Sequence, residues 1–196
     1  MKSIANAVAI AEQVPGWMSR AELHWLAERA AEVPPGGTWL EIGVMVGRSW
    51  LCQAHALPAG CRLAAVDIGL GTNRQNEETF RKGHWQWDGE WTWQRTLSLV
   101  ERHDLRWLAV RDTALQAADL FAPSSLDAVF IDACHTLEGT RSQIHLYREK
   151  LKPGGLLCGH DYDRVNWPDV VQAVEELIPD FQHVDGTSLW WCRKGA

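Results

Sequence analysis

The five cysteines of this 196-residue sequence include no C-x-x-C pair. They are Cys52, Cys61, Cys134, Cys158 and Cys192, an odd number. A disulfide framework or a zinc knuckle would show even numbers and short paired spacings. The sequence therefore predicts buried free thiols.

A basic excess is also missing. The 19 lysines and arginines are outnumbered by 25 aspartates and glutamates, which leaves a net charge of −6. Proteins that bind nucleic acid by neutralising many phosphates usually carry a basic face, so nucleic acid is not an expected partner.

Long apolar runs are absent as well, and none approaches the ~20 residues that a membrane helix needs. Glu12 and Gln13 interrupt the N-terminal segment, which would make a poor signal peptide. We expect a cytoplasmic protein without membrane contact.

Tyrosine and phenylalanine are scarce, with 2 and 4 residues, whereas tryptophan occurs 12 times. Trp85 and Trp87 fall in residues 69–90, where the sequence has no clear periodicity, and Trp91 and Trp93 follow nearby. Long irregular loops in small domains are usually lids or binding loops. Trp85 and Trp87 are therefore predicted to contact substrate, although such side chains could instead close the core beneath the loop.

The chain length suits one domain, 1–196, with an N-terminal helical extension at 1–37 and a catalytic core at 38–196. Ser19 and Glu22 have the spacing of a capping box and predict a helix that ends near Pro34. These N-terminal helices could also form a homodimer contact.

Short apolar runs alternate with helical stretches through the core, which predicts a Rossmann-like, doubly wound α/β fold with a mostly parallel sheet. The predicted strands are Thr38–Ile42, Arg62–Val66, Arg106–Val110, Leu126–Ile131, Gly155–Cys158, Phe181–Val184 and Ser188–Arg193, and the predicted helices are 48–57, 92–103, 113–120, 137–150 and one opened by Asn166 and Pro168. Only Asp185-Gly186-Thr187 separates the last two strands. A connection this short predicts a C-terminal antiparallel hairpin.

A glycine-bearing turn follows the first strand, in the run Glu41-Ile42-Gly43-x-x-x-Gly47-x-Ser49. Met45 stands where a dinucleotide-binding loop has its middle glycine, which disfavours an NAD-dependent oxidoreductase. The run resembles motif I of class I methyltransferases, and the resemblance extends from about Trp39 to the C-terminus.

This resemblance implies that S-adenosylmethionine (SAM) is the cofactor. It implies that the loop residues Glu41, Gly43, Gly47 and Ser49 contact SAM, that Asp67 holds the ribose, and that Asp112 and Thr113 lie near adenine, with Asp132 at the edge of the same site. For Asp112, capping of the following helix is an alternative role.

Two segments, F-I-D-A-C-H at 130–135 and G-H-D-Y at 159–162, follow adjacent strands and should face one pocket. They resemble a compact branch related to metal-dependent sugar and catechol O-methyltransferases. In that comparison Asp132, His160 and Asp161 correspond to metal ligands, with Mg²⁺ expected and Mn²⁺ left open by the histidine. His160 could instead support a ligand from outside.

Asp132 and His135 are the predicted catalytic residues, with His135 as general base, although it could be purely structural. Tyr162 is predicted to contact substrate.

The predicted function is SAM-dependent O-methylation of a sugar or other small polyol with help from a divalent cation. The alternatives are a small phenol or amine as acceptor, or a non-catalytic relative that binds SAM or another small ligand. Nucleobase N-methylation is disfavoured because Ile131-Asp132-Ala133-Cys134 lacks the Asn/Asp-Pro-Pro-aromatic motif.

Overall fold

The computed structural model describes residues 3–69, 93–99 and 107–195. Its helices and strands are α1 (Ile4–Ala11), α2 (Arg20–Ala31), β1 (Thr38–Ile42), α3 (Arg48–Ala56), β2 (Arg62–Asp67), β3 (Trp107–Arg111), α4 (Ala114–Ala117), β4 (Leu126–Ile131), α5 (Leu137–Lys150), β5 (Leu151–Gly159), α6 (Pro168–Leu177), β6 (Gln182–His183) and β7 (Trp190–Arg193). Residues 93–99 are also helical, and the short helix α4 continues into a 3-10 turn at Ala118–Leu120.

Seven strands form one sheet in the order β3-β2-β1-β4-β5-β7-β6. The first five strands along the chain run parallel, whereas β7 is antiparallel to both β5 and β6. This confirms the predicted Rossmann-like α/β fold with its C-terminal antiparallel hairpin. The carboxyl ends of β1 and β4 are neighbours in this order, and open α/β sheets bind ligands at such a crevice.

The two faces of the sheet carry separate apolar clusters. One includes Trp39 and packs beneath α1, α2 and α3, and the other includes Tyr147 and Trp190 and packs beneath α4, α5 and α6. These three aromatic side chains are at most 1% exposed, so much of the aromatic content serves the core. No helix in the described part of the chain is long and apolar enough to cross a membrane.

The N-terminal helices are fixed to the core through Arg48, the first residue of α3. Its Nη1 donates to the Val14 carbonyl at 2.5 Å and its Nε donates to the Met18 carbonyl at 3.0 Å. The predicted capping box is present, with the Ser19 hydroxyl accepting from the Glu22 amide and the Glu22 carboxylate accepting from the Ser19 amide. The start of α2 is therefore well defined.

Some element boundaries differ from prediction. β5 begins at Leu151, because Leu151 pairs with Leu126 across a register irregularity. The hairpin strands are shorter than expected, since only two residue pairs join β6 to β7. Trp167 precedes Pro168 as the N-cap of α6, while the Asn166 side chain is occupied by Asp163. Only residues 93–99 of the helix predicted at 92–103 are described, and they are helical.

Candidate active site

The loop after β1 presses directly against the end of β4. Gly43 has φ +86°, and a Cβ added there would stand 1.9 Å from the carbonyl oxygen of Asp132. The Asp132 amide donates to the Ile42 carbonyl at 2.8 Å, which continues the β1–β4 pairing to this point. The glycine turn and the acidic end of β4 therefore form one continuous edge.

Asp67, at the end of β2, organises the same loop. Its Oδ2 accepts hydrogen bonds from the amides of Val44 and Met45 at 2.8 and 2.9 Å, and its Oδ1 accepts from the Gly69 amide at 2.6 Å. These bonds hold Met45 at φ +48°, a left-handed conformation that is uncommon for a non-glycine residue. Asp67 thus shapes the loop from beneath, at the strand end where the ribose contact is predicted.

Glu41 and Ser49 lie below the loop surface. Glu41 is fully buried, and the Ser49 hydroxyl donates to its Oε1 at 2.5 Å. Burial raises the pKa of Glu41 well above its usual range, and the nearby Asp132 and Asp67 add to the rise against the opposing hydrogen bond from Ser49. Both residues were predicted to contact SAM, and the structure instead pairs their side chains with each other.

The N-terminus of α3 faces the end of the same loop. Gly47 is its N-cap, with φ +85° and no side-chain hydrogen bond to the helix amides. Uncapped helix amides together with the helix dipole suit a carboxylate ligand.

The helix that follows β3, α4, is capped by Thr113, so the alternative that Asp112 is its cap is wrong. Asp112 accepts from the Thr113 amide at 2.7 Å and remains beside Asp67, where the adenine contact is predicted.

Three predicted site residues converge at the ends of β4 and β5. Asp132, His135 and Asp161 each bring one ligand atom within 4.8 Å of the others. His135 Nε2 lies 2.6 Å from Asp161 Oδ2. Their side chains keep 26%, 18% and 13% of their surface exposed, in that order, so a small solute can reach them. We refer to these three residues as the reaction cluster.

His160 occupies a different position from the one expected of a metal ligand. Its Nδ1 lies 3.1 Å from Asp161 Oδ1 and its Nε2 lies 3.2 Å from Glu22 Oε1. Carboxylate oxygens therefore face both ring nitrogens. With both nitrogens already paired, His160 has none left to bind a metal. His135 takes part in the converging set and His160 supports it from behind.

The segment that holds the glycine loop and the reaction cluster matches a known protein family. A family model described as "Methyltransferase domain" matches residues 40–162, which include the glycine loop and the whole reaction cluster. The chain belongs to this methyltransferase family. This match confirms the prediction of a class I, SAM-dependent methyltransferase. None of the curated proteins matches the chain.

Solved structures agree on the fold. A protein from Corynebacterium glutamicum superposes with a TM-score of 0.70 at 16% identity, over 97% of this chain and 90% of that one. An O-methyltransferase from Bacillus cereus in complex with SAH gives 0.62 at 18%, over 96% and 88%. The O-methyltransferase TomG from Streptomyces achromogenes, involved in tomaymycin synthesis and solved with SAM, gives 0.63 at 15%, over 98% and 89%.

Charge in the methyltransferase's reaction cluster is unevenly distributed. Burial raises the pKa of Asp132 to about 6, with His160 and His135 opposing the rise and Asp161 adding to it. Burial also acts on Asp161, but hydrogen bonds from His135 and His160 outweigh it and lower its pKa. For His135, burial is outweighed by the bond to Asp161, and its pKa is raised. Asp161 is therefore the fixed negative charge of the cluster.

Trp167 is a site residue that the sequence analysis missed. Its ring stacks on the His135 imidazole at a centroid distance of 4.2 Å and an interplanar angle of 26°. The stack restricts rotation of the imidazole while Asp161 fixes one of its nitrogens. An aromatic residue just before Pro168 at a helix start was the available signal, but it does not reveal a partner 32 residues away.

The predicted substrate contacts remain predictions or lie elsewhere. The Tyr162 hydroxyl donates to Glu175 on α6 at 2.8 Å, and its ring packs against Phe181 and His183. These contacts direct Tyr162 toward α6 and the hairpin. Trp85 and Trp87 lie outside the described residues.

Proposed function

We propose that this methyltransferase transfers the methyl group of SAM to a hydroxyl oxygen of a small acceptor, a sugar or other polyol, with the help of a divalent cation. The observation that carries the proposal is the convergence of Asp132, His135 and Asp161 beside the Gly43 loop. The acceptor oxygen and the donor methyl must meet within ~3–3.5 Å for transfer. The contact between Gly43 and Asp132 brings the two halves of such a site together.

On the donor side, the chain offers three features that suit SAM. The glycine turn leaves its backbone open, the N-terminal amides of α3 suit the carboxylate of SAM, and Asp67 stands at the strand end where hydroxyls of a ribose would be held. The SAM and SAH complexes of the TomG and Bacillus cereus enzymes, which share the fold, support this choice of donor.

On the acceptor side, the donor set of the reaction cluster fits a divalent cation. Two carboxylates and one imidazole within 4.8 Å form a mixed oxygen and nitrogen site. Mg²⁺ prefers oxygen ligands, whereas an imidazole is accepted more readily by Mn²⁺ and later metals. The presence of His135 in the set therefore makes Mn²⁺ at least as good a candidate as Mg²⁺. A cation held there would lower the pKa of an acceptor hydroxyl and fix its oxygen in line.

The residues of the cluster have distinct tasks in this proposal. Asp161, held ionised by two histidines, anchors the positive charge. Asp132 supplies the second carboxylate at the edge nearest the loop at residues 43–47, which we call the donor loop. His135 is held in place by Asp161 and by the Trp167 ring. Should turnover prove independent of metal, the same His135–Asp161 pair has the arrangement of a base and its orienting carboxylate.

The presence of an activating cluster favours an aliphatic hydroxyl as the acceptor. A sugar hydroxyl is a far weaker acid than a phenol, whose pKa is ~10 as in tyrosine. Its oxygen needs an activating group, which the cluster of two carboxylates and an imidazole provides. Release of SAH with a phenol or amine, and none with a sugar, would identify the alternative acceptor.

The test combines donor binding with metal-dependent turnover. Calorimetry should show SAM binding and no NAD binding, and SAH release should appear with a mono- or oligosaccharide acceptor in Mn²⁺ or Mg²⁺. Excess chelator should abolish turnover and leave SAM affinity within a few-fold. Unchanged turnover in chelator would refute the metal, and NAD binding without SAM binding would refute the function.

A matched pair of variants locates the metal. Asp161→Asn removes the charge but suits the left-handed backbone, φ +64°, at that position. It should abolish metal-dependent turnover. Asp163→Asn, on the same loop but outside the cluster, should retain it. Equal losses in both variants would contradict the assignment of Asp161.

A further inference from the structure

Glu22 is a buried carboxylate that reaches the reaction cluster from α2, outside the segment matched by the methyltransferase family. Its residue surface is 5% exposed. One oxygen, Oε2, accepts from the Ser19 amide at 2.7 Å and completes the capping box. The other, Oε1, accepts from the Ser188 amide at 2.9 Å and faces His160 Nε2 at 3.2 Å.

Helix capping does not explain the second oxygen. A capping box uses the N3 carboxylate to satisfy the N-cap amide, which needs a single acceptor. Burying a charged carboxylate is costly unless all of its oxygens are hydrogen-bonded or paired. The partners of Oε1 come from the loop after β5 and from the approach to β7, so Glu22 connects α2 to both of these segments.

The connection continues through His160 to the reaction cluster. Two hydrogen bonds fix the His160 backbone. Its amide donates to the Ile131 carbonyl at 3.1 Å, and its carbonyl accepts from the Trp190 indole at 3.2 Å. With the backbone held, the remaining freedom is rotation of the imidazole. Glu22 takes one ring nitrogen and Asp161 takes the other, so the orientation of the ring couples the two carboxylates.

We propose that Glu22 is a positioning residue for the active site. Through His160 it sets the orientation of the Asp161 carboxylate, whose second oxygen meets His135. Helix α2 is therefore part of the reaction site as well as a cover for the sheet. The kinetic consequence rests on the proposed methyl transfer, whereas the orientation of His160 does not.

A double-mutant cycle tests the proposal in the full-length chain. Glu22→Gln keeps the size of the side chain but replaces one acceptor oxygen with a donor. We expect kcat/KM for the acceptor to fall ~10- to 100-fold, the range for residues that orient a metal ligand, with the KM for SAM within about twofold. In a His160→Asn background the same change should cost less than about twofold, because the residue through which Glu22 acts is gone.

Ser19→Ala is the matched control. It removes the reciprocal cap of the same helix but leaves both Glu22 oxygens with their partners, so turnover should stay near wild type even where thermal stability falls. An equal fold-loss for Glu22→Gln in both backgrounds, or a Ser19→Ala loss as large as that of Glu22→Gln, would overturn the proposal and assign Glu22 to helix stability alone.

A spectroscopic measurement makes the test independent of methyl transfer. In protein labelled with ¹⁵N-histidine, Glu22→Gln should shift the His160 ring signal, because Nε2 loses its carboxylate partner, while Ser19→Ala leaves the signal in place. An unchanged signal in Glu22→Gln would overturn the proposal. A shifted signal in a chain that methylates no acceptor would refute the proposed function and still support the positioning role.

Discussion

Substitution of Gly43 by alanine is the sharpest test of how the donor loop meets the end of β4. The left-handed conformation of the residue costs an L-residue ~1–2 kcal/mol. The new methyl group would also stand 1.9 Å from the Asp132 carbonyl oxygen, where real Cβ atoms essentially never approach within 3.0 Å. Relieving that overlap requires a shift of the loop against β4, and overpacking of this kind typically costs ~1–3 kcal/mol more.

Gly60→Ala supplies the control for conformational strain. Gly60 has φ +82°, close to that of Gly43, but a Cβ there meets nothing within 4 Å. In urea denaturation we expect Gly60→Ala to lower the free energy of unfolding by ~1–2 kcal/mol and Gly43→Ala by ~2–5 kcal/mol. The difference between the variants measures the close approach itself.

The two variants should also differ in ligand binding. Gly43→Ala moves the loop away from Asp132 and should weaken SAM binding at least tenfold in calorimetry, while Gly60→Ala should bind SAM as the wild type does. Equal losses of stability in the two variants, together with normal SAM affinity in Gly43→Ala, would show that the loop and β4 are not in contact and would remove the basis of the active-site assignment.

Three further outcomes follow from individual contacts. The pKa of Glu22 falls from 4.5 to about 2, because its hydrogen bonds outweigh the effect of burial. The stability that the carboxylate contributes is complete above pH 4.5 and lost as the pH falls toward 2. Glu22→Gln should therefore reduce the loss of thermal stability at acid pH, and Glu28→Gln, at a partly exposed position, should not. Trp167→Leu removes the ring stacked on His135 and should lower kcat several-fold with SAM affinity unchanged; a rise in the KM for SAM alone would contradict this role. Arg48→Lys cannot reproduce the three hydrogen bonds that the guanidinium donates to backbone carbonyls. It should lower the free energy of unfolding by ~1–3 kcal/mol, which circular dichroism in urea would detect, and an unchanged free energy would place the anchor of the N-terminal helices elsewhere.

Much of the fold could be read from the sequence because its signals are local. The alternation of apolar runs with helical stretches, the capping box at Ser19 and the short connection after β6 each depend on neighbouring residues. Boundaries failed where a distant partner decides them. β5 extends back to Leu151 because Leu126 lies beside it, a pairing of residues 25 positions apart that no local pattern records.

For the site, too, local signals could be read from the sequence and contacts between distant residues could not. Asp132, His135 and Asp161 could be placed together because each follows a strand end in a parallel sheet, where a general rule locates ligands. The sequence left open whether His160 binds a metal or supports a ligand, and this choice could not be made from the sequence alone. It depends on Glu22, which lies 138 positions from His160 in the sequence, and on whether a carboxylate meets each ring nitrogen.

The insertion of β7 between β5 and β6 has a consequence for the order of folding. In the described part of the chain, the donor loop contacts β2, β4 and the helix at residues 93–99, all of which precede residue 132. The surroundings of His160, by contrast, need Trp190 on β7 and the amide of Ser188, whose bond to Glu22 spans 166 positions. Contacts that join such distant parts of a chain form late. A growing polypeptide should therefore acquire its SAM site first, and become competent for chemistry only when its final hairpin has closed.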